Sequence, residues 1–357
     1  MKIHIFNPEH DIALASGLAN FTAPHAGRQL RHDLGFLPAI WAQPGDIVVA
    51  DDPELAQRSW HRIAHRLNTL TDTRHFDASA VTFVPWKMIA AEGSDNTIEP
   101  WGWNSALCAM LKRQGVGESQ LPSPTELQTI RHLSHRRTAA TLLPKLRKEG
   151  TVGETFECTT QEEVDRLLNK YGHLVLKAPW SSSGRGIRYL SMHDAQDSTQ
   201  NWLRNVMSLQ GSVMVEPYYN KVKDFGMEFY SDGAGSISYL GLSLFHTENG
   251  AYTGNVLATE SVKKELIGQY VAPTLLDSIR HEICQMLAEV FNGKYRGPFG
   301  VDMMVCAPTL LHPCVEINLR RTMGHVALAM SPKDDDLRRV MRIDYSSNNY
   351  RLTISRL

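Results

Sequence analysis

Short apolar runs separated by longer mixed stretches set the first expectations. Lys2 to Phe6, Asp46 to Ala50 and Ala80 to Pro85 read as strands. Between them, Leu55, Trp60, Ile63, Ala64 and Leu67 recur at helical spacing, so Glu54 to Leu67 is predicted to be an amphipathic helix, and Asn104 to Gln114 a second. Strand and helix in alternation predict a parallel sheet flanked by helices. The run from Asn7 to Pro44 carries no such period and is predicted to be loop-rich.

Leu121-Pro122-Ser123-Pro124 is the sharpest break in the first half, with Ser123 or Thr125 placed to cap a helical region from Glu126 to about Lys148. Period-two alternation dominates afterwards. Strands are predicted at His173 to Pro179, Ile187 to Leu190, Val213 to Tyr219, Gly226 to Tyr230, Ser236 to Leu244, Phe299 to Val305 and Leu311 to Leu319. Two helices are predicted to interrupt them, Thr160 to Lys170, with Glu162, Glu163 and Asp165 in its first turns, and Thr274 to Phe291.

At 357 residues the chain predicts two or three packed units. With 37 Lys and Arg against 38 Asp and Glu, the net charge of −1 argues against nucleic acid or an anionic membrane as partner, so an anionic ligand needs a local site. The opening MKIHIF runs straight into Asn7-Pro8-Glu9-His10-Asp11 without an apolar signal core, and the cytoplasm is the expectation. Five scattered cysteines with no CxxC pair predict reduced structural thiols.

Chemistry concentrates in two places. In the first, an apolar strand delivers Lys177 and opens into Ser181-Ser182-Ser183-Gly184-Arg185-Gly186. Glycines that turn backbone N–H groups toward an anion, serine hydroxyls and one point charge suit phosphate, although the same residues also make an ordinary hairpin turn. Neither a P-loop nor a GxGxxG fingerprint is present. In the second, Glu316 and Asn318 share a face of one strand, with Arg320 beyond. A hairpin turning near Pro308 to Leu310 would bring Asp302 opposite Glu316. Two carboxylates and an amide oxygen would then converge, an oxygen-only set that selects Mg²⁺ over zinc.

In this order, the motifs Lys177, Ser181 to Gly186, Val215-Glu216-Pro217-Tyr218, Gly300-Val301-Asp302 and Glu316-Ile317-Asn318-Leu319-Arg320 resemble those of the ATP-grasp superfamily, over about residues 134–330. The resemblance implies an α/β (α+β) fold: an N-terminal α/β domain at 1–120, a small lobe with a Gly-rich flap at 121–211, and a large lobe with hinge and metal site at 212–357. It implies that Lys177 contacts the α- and β-phosphates, that Ser181, Ser182, Ser183, Gly184, Arg185 and Gly186 close over the β- and γ-phosphates, and that Glu216, Pro217 and Tyr218 take the adenine edge. Asp224 would hold the ribose. Asp302, Glu316 and Asn318 would hold Mg²⁺ or Mn²⁺, and Arg320 would stabilise the transferred phosphoryl group. Where the family has an earlier phosphate-contacting lysine this chain has Arg136 and Arg137, either of which could replace it, or both could be a solvated face. Glu228 is expected to be structural.

The implied activity is ADP-forming ligation of ATP and a carboxylate-bearing small molecule or peptide, through an acyl phosphate, to an amine or similar nucleophile. A kinase on the same fold and a non-catalytic nucleotide-binding module are the alternatives, and a homodimer is compatible with either. Candidate substrate loops are Asn7 to Ala13, Phe245 to Asn255 and Arg321. His61 and His65 are expected on a solvated basic helix face, and Trp101 and Trp103 in packing.

Overall fold

The computed structural model describes residues 1–70, 75–91, 96–181, 186–192, 197–248 and 251–357. Strand β1 (Lys2–Ile5) is followed by helices α1 (His10–Ser16) and α2 (His25–Asp33), then β2 (Ile47–Ala50), α3 (Pro53–Leu70), β3 (Thr82–Pro85), β4 (Thr97–Pro100) and α4 (Ser105–Arg113). The four strands form one parallel sheet in the order β3-β2-β1-β4. The stretch expected to be loop-rich thus holds two helices and a 3₁₀ turn at Leu37–Ile40. The seven residues of α1, which stops at Gly17 in a left-handed conformation (φ 65°), are too few to show a helical period.

The helical region after Pro124 is two helices, α5 (Pro124–Leu133) and α6 (Arg137–Leu146), broken at Ser134 to Arg136. Ser123 caps α5 in a reciprocal box with Glu126, and Pro124 occupies the first turn, where its missing N–H costs nothing. Next come β5 (Phe156–Cys158), α7 (Gln161–Tyr171), β6 (His173–Lys177), β7 (Ile187–Ser191), α8 (Asp197–Gln210) and β8 (Val213–Pro217), with the antiparallel sheet order β5-β8-β6-β7. Leu174, Leu176, Val213 and Val215 pack under α7 and α8 in one small core.

The remainder contains β9 (Lys221–Ser231), β10 (Ile237–Ser243), β11 (Phe245–Glu248), β12 (Ala251–Leu257), α9 (Glu260–Gly268), α10 (Pro273–Phe291), β13 (Gly297–Cys306), β14 (Leu310–Asn318), α11 (Met323–Met330), β15 (Arg339–Ser346) and β16 (Asn349–Arg356). Helices α8, α9 and α11 correct the expectation of only two helices here. The sheet β10-β9-β13-β14 is backed by α9 and α10 around Phe225, Phe229, Phe291 and Phe299, with the Phe229 and Phe299 rings stacked at 5.2 Å. The sheet β11-β12-β15-β16 belongs to another core. Its Met341, Leu352 and Ile354 pack with Phe6, Val48, Trp60 and Ile63 of the first hundred residues. Among the described residues no helix is long and apolar enough to cross a membrane, and all five cysteines are free thiols. Cys306 pairs with Leu310 across the β13–β14 hairpin rather than with Cys314. His61 and His65 are exposed, while Trp101 is buried edge-on against Phe6.

Candidate functional site

The hairpin β13–β14 sets Asp302 directly opposite Glu316 and Gly300 opposite Asn318. Two carboxylates on one face repel, and the effect is large: burial first, then the Glu316 and Glu228 charges, push the Asp302 carboxyl up to about 8. Asn318 Nδ2 donates to Asp302 Oδ2 at 3.0 Å, and its amide oxygen accepts from Arg320 Nη2 at 2.9 Å. The sequence had that oxygen converging with the carboxylates; here it faces Arg320, so ligation through it would need the amide turned over. Among the described residues no group of three or more His, Cys, Asp or Glu side chains is arranged to hold a metal by itself. The donor set still fits Mg²⁺, which is commonly held by one or two carboxylates with substrate phosphate and water completing its shell.

The broken α5–α6 junction projects Arg136 into this site. Its Nη2 donates to Glu316 Oε2 at 2.7 Å, while Nη1 donates to Ala178 O at 2.9 Å and to Ser181 Oγ at 3.1 Å. One guanidinium therefore joins the carboxylate pair to the strand end after Lys177. Arg137 points elsewhere, to Glu157 at 2.7 Å, with its side chain 43% exposed. The structure thus puts the first of the two arginines, and not the second, at the cleft.

On the facing sheet, Lys177 at the end of β6 donates from Nζ to Glu216 Oε2 at 2.6 Å, and both are buried. This ion pair uses one oxygen of the carboxylate expected at the adenine edge. Beside it, His312 is fully buried with neither ring nitrogen hydrogen-bonded among the described residues, close against Gly153, where a Cβ would sit 2.7 Å from Nε2. Burial pushes its pKa down to about 4, so it is a neutral ring. Pro217 is buried in β8; Tyr218 is 46% exposed and stacks on His173 at 4.2 Å. Asp224 accepts from Lys221 Nζ at 2.6 Å and from Thr247 Oγ1 at 2.9 Å, a partly exposed position on β9. Of the loop residues, Ser181 and Gly186 are in tight apposition, with no room for a side chain at 186, and Ala178 N–H donates to Gly186 O at 2.8 Å. Ser182, Ser183, Gly184 and Arg185 lie outside the described residues.

Arg320 sits where no local pattern could have placed it. Its Nε and Nη2 engage both oxygens of Asp11 at 2.7–3.0 Å, 309 residues away at the start of the chain. Burial opposes both charges, but Arg320 holds the Asp11 carboxyl below its usual range, and Asp11 holds the guanidinium above its own. The expected phosphoryl-stabilising arginine is thus bound to the first turn of α1. The start of that helix is itself clasped to the end of β4: Asn7 Nδ2 donates to Gly102 O at 2.9 Å and Asn104 lies 3.1 Å from His10 Nδ1. Gly102 presses on the His10 ring so closely that a Cβ would meet it at 2.6 Å. These contacts fall at the carboxyl ends of β1 and β4, where the strand order reverses, the crevice in which open α/β sheets bind ligands.

A cleft opens there, between Asp11 and Leu14 on one side, Ser134, Trp180 and Ser181 on another, and Glu316 to Leu319 as its floor. Ser134 and Trp180 gave no sequence signal. Arg321 donates its N–H to Trp101 O at 2.8 Å, stacks on Trp41 at 4.7 Å and approaches Glu99 at 3.6 Å. The segment after Phe245 forms the edge pair β11–β12, with Asn255 buried and bonded to Ser243 at 2.9 Å; Asn249 and Gly250 are not described. Glu228 is buried on β9 opposite Gly300, 2.9 Å from His325 Nδ1.

No protein-family model matches the chain, and no curated protein matches it by sequence. Solved structures do match by shape. The biotin carboxylase–β,γ-ATP complex from Campylobacter jejuni superposes with a TM-score of 0.53 at 13% identity, covering 98% of this chain and 77% of that one. The biotin carboxylase domain of the Hydrogenobacter thermophilus 2-oxoglutarate carboxylase, a dimer in complex with MgADP, ADP and bicarbonate, gives 0.51 at 14% identity, covering 96% and 74%. At such identity the likeness speaks to architecture alone, and that architecture is the ATP-grasp fold.

Proposed function

We propose that the protein is an ATP- and Mg²⁺-dependent ligase that activates a carboxylate by phosphoryl transfer and hands it to an amine or similar nucleophile, releasing ADP and phosphate. The observation that carries this reading is the Asp302–Glu316 pair, two facing carboxyl groups whose full ionisation calls for a cation between them, with Arg136 bonded to Glu316 and Arg320 to Asn318. A divalent cation held by Asp302 and Glu316 would neutralise charge on the transferred phosphoryl group. Mn²⁺ would serve in the same site.

Each side chain then has a part. Lys177, at the end of its strand, supplies a point charge to the α- and β-phosphates, and Glu216 keeps that ammonium in place. Ser181 and Gly186 frame the loop over the terminal phosphates. Arg136 provides the cationic fork that the family's earlier lysine provides elsewhere, already aimed by Ala178 O, Ser181 and Glu316. Arg320 stabilises negative charge as it develops, at an orientation set by Asp11. Glu216, Pro217 and Tyr218 border the base, and Asp224 the ribose. In this reading 1–120 is the N-terminal α/β domain, 121–211 the small lobe with its flap and 212–357 the large lobe with hinge and metal site. No side chain need become covalently modified.

The test is calorimetric titration with ATP in the presence of Mg²⁺, followed by incubation with ATP and a metabolite and peptide extract. A product whose mass equals two reactants minus water, with ADP and phosphate released together, is expected. Absence of Mg-dependent ATP binding would overturn the reading, and a product that keeps the phosphate would make the protein a kinase.

A further inference from the structure

Four arginines near the cleft have acidic partners: Arg136 with Glu316, Arg137 with Glu157, Arg320 with Asp11 and Arg321 with Glu99. Arg131, in the last turn of α5, has none among the described residues. Burial lowers its pKa and no carboxylate raises it. It is nevertheless held firmly. Its Nε donates to Leu14 O at 2.7 Å, and its guanidinium lies 4.0 Å from the centre of the Trp180 ring, whose Nε1 donates back to Arg131 O at 3.0 Å. Stacking occupies one face and Leu14 occupies one N–H. The two Nη groups, four of the five N–H donors, have no protein partner among the described residues.

Both residues that fix Arg131 are walls of the cleft beside Glu316 and Asn318. The acids of that cleft, Asp11 and Glu316, are each matched by a guanidinium, whereas Arg131, next to two of its lining residues, has only the last-turn carbonyl of α1 as an acceptor among the described residues. The neighbouring His135, edge-on to Trp180 at 4.6 Å, adds no negative charge. A planar cationic fork, pre-oriented and unpaired, is the arrangement that receives a carboxylate or phosphate.

We propose that Arg131 receives a second anionic group of the substrate, so that the molecule activated here is a short dianion: a carboxylate that reacts beside Glu316 and Asn318, and a carboxylate or phosphate at its other end. This deepens the ligase reading and rests on it for the identity of the reacting end.

The experiment measures binding of glutarate, 4-phosphonobutyrate and valerate by calorimetry, with and without Mg-ADP, to the wild-type chain and to Arg131→Gln and Arg131→Lys. A charge-assisted fork contact amounts to about tenfold or more in affinity. The wild-type protein should therefore prefer one of the dianions to valerate by at least about tenfold. Which one wins separates carboxylate from phosphate. Arg131→Gln should erase the preference and Arg131→Lys reduce it, with Mg-ATP binding the same in all three. The lysine variant keeps the test open should the glutamine variant not fold. Equal binding of dianion and valerate by the wild-type chain, no dianion binding at about 10 mM, or a preference that survives Arg131→Gln would each overturn the proposal. A preference that depends on Arg131 in a protein that does not bind ATP would leave the anion site standing and remove the ligase reading instead.

Discussion

Replacing Asp11 with alanine should destabilise the protein far more than an average surface change, because it strands a guanidinium. Arg320 makes three hydrogen bonds to the Asp11 carboxylate, at 2.7, 2.9 and 3.0 Å, and the two side chains are only 17% and 16% exposed. Removing one partner of a fully buried pair costs about 3–5 kcal/mol. The residual exposure and the remaining bonds of Arg320 to Asn318 and Arg321 O bring the expectation to roughly 2–3 kcal/mol. Urea unfolding followed by tryptophan fluorescence measures it. The pH dependence has a definite sign. Burial raises the Asp11 pKa, but Arg320, joined by His10 and Arg136, outweighs it, so the folded value lies below the unfolded one. The ion pair therefore stabilises fully above the unfolded pKa of about 3.9, and its contribution fades as pH falls through the folded value. The wild-type advantage should be flat from about pH 5 to 8 and shrink only in stronger acid. A second substitution sharpens the test: Arg320→Met in the Asp11→Ala background removes the orphan charge and should recover part of the loss. A cost under about 1 kcal/mol, or a double variant that merely adds two losses, would refute the argument.

The remaining predictions concern the facing sheets. Arg136→Gln should lower ATP-dependent turnover by about a hundredfold, since it removes a preorganised cation from the cleft, whereas Arg137→Gln should leave turnover within about twofold; steady-state ADP release compares them. Asp302→Asn should abolish Mg-dependent turnover yet raise the melting temperature of the metal-free protein at pH 7–8, because the raised carboxyl pKa means that its charge disfavours the fold once pH exceeds the unfolded value. The gain expected is at least about 1 kcal/mol, and a variant less stable than wild type would count against the like-charge reading.

Much of this molecule was legible in its patterning, for reasons that can be located. Apolar patterning on both arms and a proline-containing turn predicted the hairpin, but the loop register, with Cys306 opposite Leu310, would alone put Asp302 opposite Cys314; an irregularity between Asp302 and Met304 shifts it to Glu316. The parallel order of the first sheet followed from helices alternating with apolar runs. What escaped has physical causes too. Helix α1 is two turns long and α2 is mostly polar, so neither shows a stripe. In β15, Arg339, Arg342, Asp344 and Ser346 intervene among the apolar residues, and only Val340 and Met341 are buried, so the strand reads as polar surface. The Asp11–Arg320 pair and the Leu14–Arg131–Trp180 contact join residues from distant parts of the chain, and nothing in local spacing encodes them. Arg131 in particular reads as an ordinary basic residue in a last helical turn.

The packing of β16 on α2 and α3 also orders events in time. Arg66 donates to Ile354 O, and Asp33 accepts from the Tyr350 N–H, across separations of 288 and 317 residues. During synthesis α2 and α3 emerge long before the strand that packs on them. At about 5–20 residues per second, those 288 residues take roughly 15–60 s. For that interval Phe6, Val48, Trp60 and Ile63 lack Met341, Leu352 and Ile354, while the two intervening sheets have all their own strands and can fold first. The nascent chain therefore carries an open apolar face through most of its translation. Shielding of that face by a chaperone, or a pause that shortens its exposure, would govern how much of the protein reaches its native form.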